Sequence, residues 1–310
     1  MKRSQIGLLL AVLVLLSALV PRAWAAQSID LSQKGELIIE YVHEGKPITG
    51  AVFALYRVAD VDANGMYTLC GDFADYPVDL TNRSDSAWRN VALTLNAFAK
   101  RDMLNPDYVA EIDEFGFAVV EDLEPGLYLL TAEKFIDDYG MFTSVPALAP
   151  IPAKCNAQSD WYYSVTVIPK STFQPHEGMG VTSRRVLKIW DDEGSEMYRP
   201  EKLEIQLLCN GVLYDTVFLS EETGWSYVWD DLPAGEEWVI VEVVPENNTV
   251  EIAVDGLITS ITNTNHTPPP PTEPEENIPQ TGMLWWPLPL LVAAGLGFIV
   301  LGVKLRRYEA

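Results

Sequence analysis

Short segments with alternating apolar and polar side chains recur along most of the chain, and this period of two limits the fold more than any other feature. The segments are rich in Val, Ile, Leu, Tyr and Trp, and Gly, Pro, Asn and Asp separate them. Such alternation is typical of strands buried on one face, and many short strands between turns are typical of a β-sandwich. The pattern predicts an all-β fold of tandem, immunoglobulin-like sandwiches.

A segment with proline and glycine divides the strand pattern into two blocks. We predict a first domain over residues 33–171, a linker over 172–182 and a second domain over 183–266. A weak internal repeat supports the division, because a turn leads into an aromatic strand in both blocks. The two copies are Leu123-x-Pro125-Gly126-x-Tyr128 and Leu232-Pro233-x-Gly235-x-x-Trp238.

One segment of the first block departs from the strand pattern. Residues 85–101 place apolar side chains at helical spacing, and Ser84 or Asp85 is available as an N-cap. The apolar residues are Trp88, Val91, Ala92, Leu95, Phe98 and Ala99. We therefore expect an amphipathic helix inserted in the first domain and laid on its sandwich, where it serves packing.

The N-terminus has the three parts of a secretory signal peptide. Basic residues at 2 and 3 precede an apolar run over 6–20, and Ala23-Trp24-Ala25 supplies a small-x-small cleavage pattern. We predict a signal peptide over 1–25; an uncleaved anchor helix is the alternative.

The C-terminus combines a stalk, a short motif, an apolar stretch and cations. Residues 267–277 are rich in Pro and Glu, which favours an extended, stiff segment. The apolar stretch 283–303 is long enough to cross a bilayer, and a basic tail follows over 304–310. A transmembrane helix with a cytoplasmic tail is therefore predicted.

The motif between stalk and apolar stretch is Ile278-Pro279-Gln280-Thr281-Gly282. In this position it resembles the LPxTG sorting signal of Gram-positive surface proteins. The resemblance implies that a sortase cuts between Thr281 and Gly282 and transfers the threonine carbonyl to an amine, which anchors the protein to peptidoglycan in the cell wall. Ile at the first position leaves open whether a class C or a housekeeping sortase acts.

Composition excludes several classes of function. The net charge is −23 at pH 7, with 44 acidic and 21 basic residues, and such a surface repels nucleic acid. The three histidines have no metal-ligand spacing and no Ser/Cys–His arrangement, so we expect no metal, no cofactor and no enzyme. Cys70 and Cys155 are a possible disulfide pair in an exported chain, although sequence leaves their pairing open.

The second block resembles the CnaB-type repeat of Gram-positive adhesins and pilins over nearly its whole length. The segments that carry the resemblance are Val186-Leu187-Lys188-Ile189-Trp190-Asp191-Asp192, Arg199-Pro200, Gly224-Trp225-Ser226-Tyr227 and Ile261-Thr262-Asn263-Thr264. The resemblance implies an intramolecular isopeptide bond between Lys188 and Asn263, assisted by Glu242.

The first block is similar to a divergent member of the same fold, in its segments Gly35–Ile39 and Gly45–Tyr56. The positions that align with lysine, acid and asparagine hold Tyr41, Ala132 and Ser171. We therefore predict no isopeptide bond in this domain.

The end of the first block, Trp161-Tyr-Tyr-Ser-Val165-Thr-Val167-Ile168-Pro169-Lys170, resembles the pilin motif of sortase-assembled pili. The resemblance implies that Lys170 is the amine that receives Thr281 of the next subunit. Pro169 should keep Lys170 out of a strand interior and leave its ammonium exposed. A solvated lysine after a final strand is the alternative.

Together these features predict a shaft-type pilin, exported, anchored to the cell wall and polymerised through Lys170–Thr281 bonds. Its expected partners are a sortase, further copies of itself and peptidoglycan. A monomeric wall-anchored adhesin that binds a host or neighbour-cell ligand is one alternative, and a basal or minor pilin is another.

Overall fold

A computed structural model describes residues 28–138, 140–154, 160–175, 180–267 and 287–306. The chain forms two compact units, one up to Thr267 and one from Pro268 onward. The predicted signal peptide, the stalk beyond Thr267 and the motif Ile278–Gly282 lie outside the described residues, as does Cys155. These sequence predictions stay predictions.

Thirteen strands of the described chain belong to the first domain. They are β1 Gly35–Glu40, β2 Val42–His43, β3 Lys46–Pro47, β4 Val52–Val61, β5 Tyr67–Leu69, β6 Tyr108–Glu111, β7 Phe117–Leu123, β8 Gly126–Ala132, β9 Phe135–Ile136, β10 Gly140–Ser144, β11 Ala147–Ile151, β12 Ser164–Val167 and β13 Ser171–Pro175. The sheets β12-β1-β7 and β11-β8-β4-β5 enclose the core, with β6 paired to β4. Smaller sheets are β13-β10-β9 and the hairpin β2-β3.

The second domain has seven strands in two sheets. They are β14 Val181–Asp191, β15 Leu203–Cys209, β16 Val212–Leu219, β17 Ser226–Pro233, β18 Trp238–Glu242, β19 Asn248–Asp255 and β20 Ile258–Asn265. The sheet β17-β14-β20-β19 faces the sheet β16-β15-β18. The prediction of two β-sandwiches in tandem is confirmed.

The first and last strands of the second domain, β14 and β20, run parallel and side by side, from the pair Arg185–Ile258 to the pair Asp191–Thr264. In the first domain β1 and β12 are likewise parallel neighbours. The internal repeat also has a backbone counterpart, because Asp122 and Asp231, each just before the repeat's leucine, adopt positive φ angles of 60° and 56°.

Helix α1, Asp85–Arg101, has the bounds and the Ser84 cap that the sequence predicts, since the Ser84 hydroxyl accepts a hydrogen bond from the Ala87 backbone N–H. It packs on the first sandwich, as expected, through Leu95 and its neighbours. Its other side was not anticipated: Ala97 and Phe98 are buried in the core of the second domain. The helix therefore lies between the two domains and completes both cores.

The predicted linker is too long. Strand β13 pairs with β10 through Pro175, so the first domain continues four residues beyond its predicted end at 171. Strand β14 already begins at Val181. Backbone pairing with an earlier strand, which local composition does not reveal, explains the difference.

The C-terminal unit contains helix α2, Pro287–Arg306. Within the described part of the chain, no helix is both long enough and apolar enough to cross a membrane. The predicted span over 283–303 begins outside the described residues and stays a prediction.

Candidate functional sites

Three polar side chains that the sequence singled out meet inside the second sandwich. Lys188 is paired in register with Ile261 on the neighbouring strand, and Asn263 lies two residues further along that strand. Because side chains alternate between the faces of a strand, Lys188 and Asn263 project from the same inner face. Glu242, at the end of β18, belongs to the opposite sheet. The structure therefore brings together all three residues predicted for the second domain.

All three side chains are removed from solvent. Glu242 and Asn263 have no exposed surface, and Lys188 is 5% exposed. The Lys188 Nζ lies 3.8 Å from a carboxylate oxygen of Glu242. It donates hydrogen bonds to the backbone carbonyls of Ile189, at 2.8 Å, and Ile261, at 3.2 Å. The two carbonyls hold the amine in place between the sheets.

The carboxylate oxygens of Glu242 and both amide atoms of Asn263 form no hydrogen bond of ordinary geometry with the described residues. Buried polar atoms without partners cost about 1–3 kcal/mol each, so native proteins rarely keep them without a use. Four such atoms in one place mark a site whose groups are arranged for something other than folding stability.

Burial shifts the protonation of this cluster in a consistent direction. Loss of water lowers the pKa of Lys188 to about 8, with the Glu242 carboxylate opposing the shift. Loss of water also raises the pKa of Glu242 to about 7, and Lys188 and Asn263 oppose that shift. The interior therefore shifts both groups toward their neutral forms, an uncharged amine and a protonated carboxyl group, because charged forms are poorly solvated there.

A neutral amine, a carboxylic acid and a side-chain amide are the groups required to form an amide bond between side chains. The amine supplies the nucleophile, and the acid can donate a proton to the amide as nitrogen departs. Enclosure excludes water, which would compete with the amine. The arrangement is therefore suited to joining Lys188 to Asn263.

Three side chains around the amine were missed as site residues by the sequence analysis. The Trp190 ring centroid lies 4.3 Å from Lys188 Nζ, and the Trp225 ring packs edge-on against Trp190. Asp192 is buried and accepts two hydrogen bonds from Arg199, each at 2.7 Å. The spacing Lys188-x-Trp190 was an available signal, since it places both side chains on one face of a strand.

The equivalent positions in the first domain have other chemistry. Tyr41 is buried in the core and Ala132 packs against that core. Burial raises the pKa of the Tyr41 hydroxyl, while Ser171 partly opposes the shift. A phenol, a methyl group and a hydroxyl cannot form an amide bond with each other, and the absence of an isopeptide bond in this domain stays a prediction.

Lys170 follows β12 and lies outside the strands, as Pro169 predicts. Its side chain is exposed and its backbone carbonyl accepts a hydrogen bond from Val145 N at 2.8 Å. Ile168, which stands where the pilin motif has tyrosine, is 65% exposed. The backbone around the lysine is therefore held while its ammonium remains accessible.

The cysteines give no support to the suggested disulfide. Cys70 is a free thiol whose sulfur lies 3.7 Å from the Arg57 carbonyl, and burial raises its pKa to about 11. Cys155 lies outside the described residues. Cys209 is also a free thiol, on β15, and is half-buried.

Comparisons with known proteins give one family and several similar structures. Residues 184–264 match the Cna protein B-type domain. A collagen adhesin of Staphylococcus aureus is 33% identical over 99 residues, which cover 31% of this chain and 8% of the adhesin.

Two solved structures illustrate the structural similarity. A single B repeat unit of the collagen-binding surface protein of Staphylococcus aureus aligns with 76% of this chain and 100% of its own, at 16% identity and a TM-score of 0.27. The full-length major pilin SpaD of Corynebacterium diphtheriae aligns with 78% of this chain and 66% of its own, at 16% identity and a TM-score of 0.31. The family match and the strand arrangement identify residues 184–264 as a CnaB-type domain.

Proposed function

We propose that the protein is a structural subunit, a shaft-type pilin, of a sortase-polymerised pilus attached to the cell wall. The observation that carries the proposal is Lys170, an exposed amine on a fixed backbone at the end of a pilin-like motif. The CnaB-type second domain supports it, because similar domains occur in surface proteins named as pilins and adhesins. In this role the protein is a substrate of sortase and turns nothing over.

The buried cluster would strengthen each subunit by an internal cross-link. The neutral Nζ of Lys188 attacks the side-chain carbonyl carbon of Asn263, and Glu242 donates a proton to the amide nitrogen. The new carbon–nitrogen bond replaces the old one, ammonia leaves with the proton from Glu242, and the proton lost by the lysine nitrogen returns to the Glu242 carboxylate. On the chain-entropy model, tying residue 188 to residue 263 stabilises the fold by about 4–5 kcal/mol.

The subunits would be joined by a second amide bond. A sortase cysteine cleaves the chain after Thr281 and holds the threonine carbonyl as a thioester. The amine of Lys170 on the next subunit attacks that carbonyl, and the cysteine thiolate leaves. Attachment of the final thioester to a peptidoglycan amine would place the polymer on the Gram-positive cell wall.

Substitution of Lys170 tests this proposal directly. Wild-type cells should give a ladder of high-molecular-weight bands when wall extracts are boiled in SDS and probed for this protein. Lys170→Ala should abolish the ladder while single subunits still reach the surface. Lys202→Ala, which removes another exposed lysine, should leave the ladder unchanged. A ladder that persists in Lys170→Ala cells would refute Lys170 as the joining amine.

A monomeric adhesin is the second candidate, and the similarity of the chain to a collagen adhesin favours it. Such a protein would give a single band in boiled extracts of wild-type cells, and removal of Lys170 would change nothing. A basal or minor pilin would instead give high-mass bands that outlast deletion of this gene, because another subunit would form the polymer.

A further inference from the structure

A cleft separates the two domains beside Lys170. Its volume is about 570 Å³, and strands β10 and β13 of the first domain, β18 and β19 of the second domain, and helix α1 line it. The cleft belongs to the compact unit that ends at Thr267. Its walls are therefore fixed relative to each other by the packing of α1 into both cores.

Four cations line this cleft in a protein whose net charge is −23. They are Arg89, Lys134, Lys170 and Arg184. Within the described residues, none of them forms an ion pair with a carboxylate. Lys134 Nζ donates to the Gly235 carbonyl at 2.8 Å, and Arg184 Nη1 donates to the Ser183 carbonyl at 2.8 Å. Both half-buried cations thus have neutral partners.

The two carboxylates in the cleft are already bound elsewhere. Glu237 forms an ion pair with Lys100 at 2.6 Å, and Glu236 accepts a hydrogen bond from the Asn210 side chain. Burial lowers the pKa of Lys134 in spite of both glutamates. A cation that has lost water and lacks a carboxylate partner raises the free energy of the folded state. A negatively charged group of another molecule would therefore bind favourably in the cleft.

A buried hydroxyl adds a hydrogen-bonding group to the same walls. Ser144 lines the cleft and is 8% exposed. Its Oγ has no hydrogen-bond partner among the described residues. The hydroxyl is thus a buried polar group left unpaired in the wall that also carries the cations.

We infer that the cleft binds the acidic end of the stalk, residues 272–277, of a second copy of this chain. The stalk carries Glu273, Glu275 and Glu276 and no cation. The inference rests on the proposed function, because a bond from Thr281 to Lys170 would bring the stalk beside the cleft. At about 3 Å per residue, Glu273 lies within about 25 Å of Thr281 along an extended chain.

Charge complementarity would then hold the incoming chain before the bond forms. The stalk would occupy the cleft and keep the threonine close to Lys170, which raises the effective concentration of the two reacting groups. The cleft thereby acts as a docking site that favours this lysine over the other exposed lysines of the protein.

Peptide binding tests the inference without sortase. A fluorescent peptide of residues 268–281 is titrated with the described unit, residues 28–267, which contains all three hydrophobic clusters. Fluorescence anisotropy should show saturable binding that weakens as ionic strength rises. A peptide with Gln at 273, 275 and 276 should bind at least about tenfold more weakly.

Matched protein variants locate the site. Arg184→Gln should weaken binding of the peptide several-fold, whereas Arg185→Gln, an exposed neighbour outside the cleft, should not. Circular dichroism melts of both variants check that the fold is kept. Equal binding of the Glu and Gln peptides, or equal effects of the two arginine variants, would overturn the inference. So would binding of polyphosphate without binding of the peptide.

Failure of the inference is distinguishable from failure of the proposed function. Lys170→Arg keeps the charge in the cleft but removes the primary amine, so it should bind the peptide and form no ladder. If the protein does not bind the peptide but still forms ladders in cells, the docking inference is refuted and the proposed pilin function stands. Peptide binding with no ladder in wild-type cells would refute the pilin function and leave docking standing.

Discussion

Burial moves Lys188 and Glu242 closer to their neutral forms than either side chain is in water, because it lowers the pKa of the amine and raises that of the carboxyl group. An exposed lysine is almost fully protonated at neutral pH and is no nucleophile, whereas an exposed glutamate has no proton to donate. Between the two sheets both preferences are weakened, because each charged form loses its hydration. The reactivity proposed for this site therefore depends on its enclosure as much as on the residue types.

Intact-mass spectrometry should detect the internal bond. The wild-type chain should be lighter than its sequence mass by one ammonia, and Lys188→Ala, Asn263→Ala and Glu242→Ala should each keep the full mass. Glu204→Ala, a carboxylate on β15 outside the site, is the control and should remain lighter by one ammonia. Full mass in the wild-type protein would rule out the bond.

A pH series on the unlinked variant Asn263→Ala tests the shifted pKa values. Glu242 titrates near 7 when folded and near 4.5 when unfolded, so the folded state binds the extra proton between these values and the free energy of unfolding falls as pH rises. Lys188 titrates near 8 when folded and near 10.5 when unfolded, so the free energy of unfolding rises with pH in that interval.

Urea unfolding should therefore find this variant least stable between about pH 7 and 8. The comparison protein carries Lys188→Met and Glu242→Gln in addition, which removes both titrating groups and leaves the other acidic residues unchanged. The difference in free energy of unfolding between the two proteins then reports only the titration of Lys188 and Glu242. A difference that does not vary with pH would contradict the pKa shifts.

Among elements, helix α1 connects the domains through a face that looks polar in sequence. Thr94 Oγ1 accepts a hydrogen bond from Ile252 N at 2.8 Å, and Asn90 Nδ2 donates to Glu251 Oε1 at 3.0 Å. Both bonds reach β19, an edge strand of the second domain. These hydrogen bonds attach the helix to the second domain, in addition to the apolar packing of Phe98.

Truncation of Phe98 should weaken the second domain although the residue belongs to the first. Phe98 is 1% exposed in the second domain's core, so Phe98→Ala should cost about 3–5 kcal/mol of unfolding free energy. Amide hydrogen exchange should accelerate in β19. Phe115→Ala, at a residue 70% exposed, should change stability by less than about 0.5 kcal/mol. Unchanged exchange in β19 would show that the domains are independent.

The sequence predicted elements whose causes are local. Helix α1 has its predicted bounds because Ser84 caps it and its apolar spacing is helical. Asn210-Gly211, a residue pair typical of tight hairpin turns, joins β15 to β16 with positive φ angles of 50° and 77°. Strand β13 and the second contact face of α1 were missed, because their partners are distant in sequence.

The same distinction, between local causes and partners distant in sequence, applies to the candidate functional sites. Lys188, Glu242 and Asn263 could be found by family resemblance because they lie on strands that resemble the repeat. Apart from Lys170, the cations of the cleft could not be found, since Arg89, Lys134 and Arg184 come from three separated segments that meet through tertiary packing. The sequence next to each of these charged residues does not indicate that they come together in the folded chain.

At the scale of the whole molecule, the internal bond should make the second domain inextensible. When single chains are stretched by atomic force microscopy, tension should pass through the Lys188–Asn263 bond and leave the residues between them folded. Asn263→Ala should release an additional length of about 250 Å. Ser260→Ala, on the same strand, should behave as wild type, and equal extension of wild type and Asn263→Ala would contradict the proposed role.

The parallel neighbours β14 and β20 have a mechanical consequence even without the covalent bond. Force applied to the two ends of the domain would pull these adjacent strands along their length in opposite directions. All hydrogen bonds between them, from the Arg185–Ile258 pair to the Asp191–Thr264 pair, would then be loaded in shear at once, where a hairpin would be peeled open one bond at a time. The unlinked domain should therefore rupture late and abruptly, which would protect a newly exported subunit until its cross-link has formed.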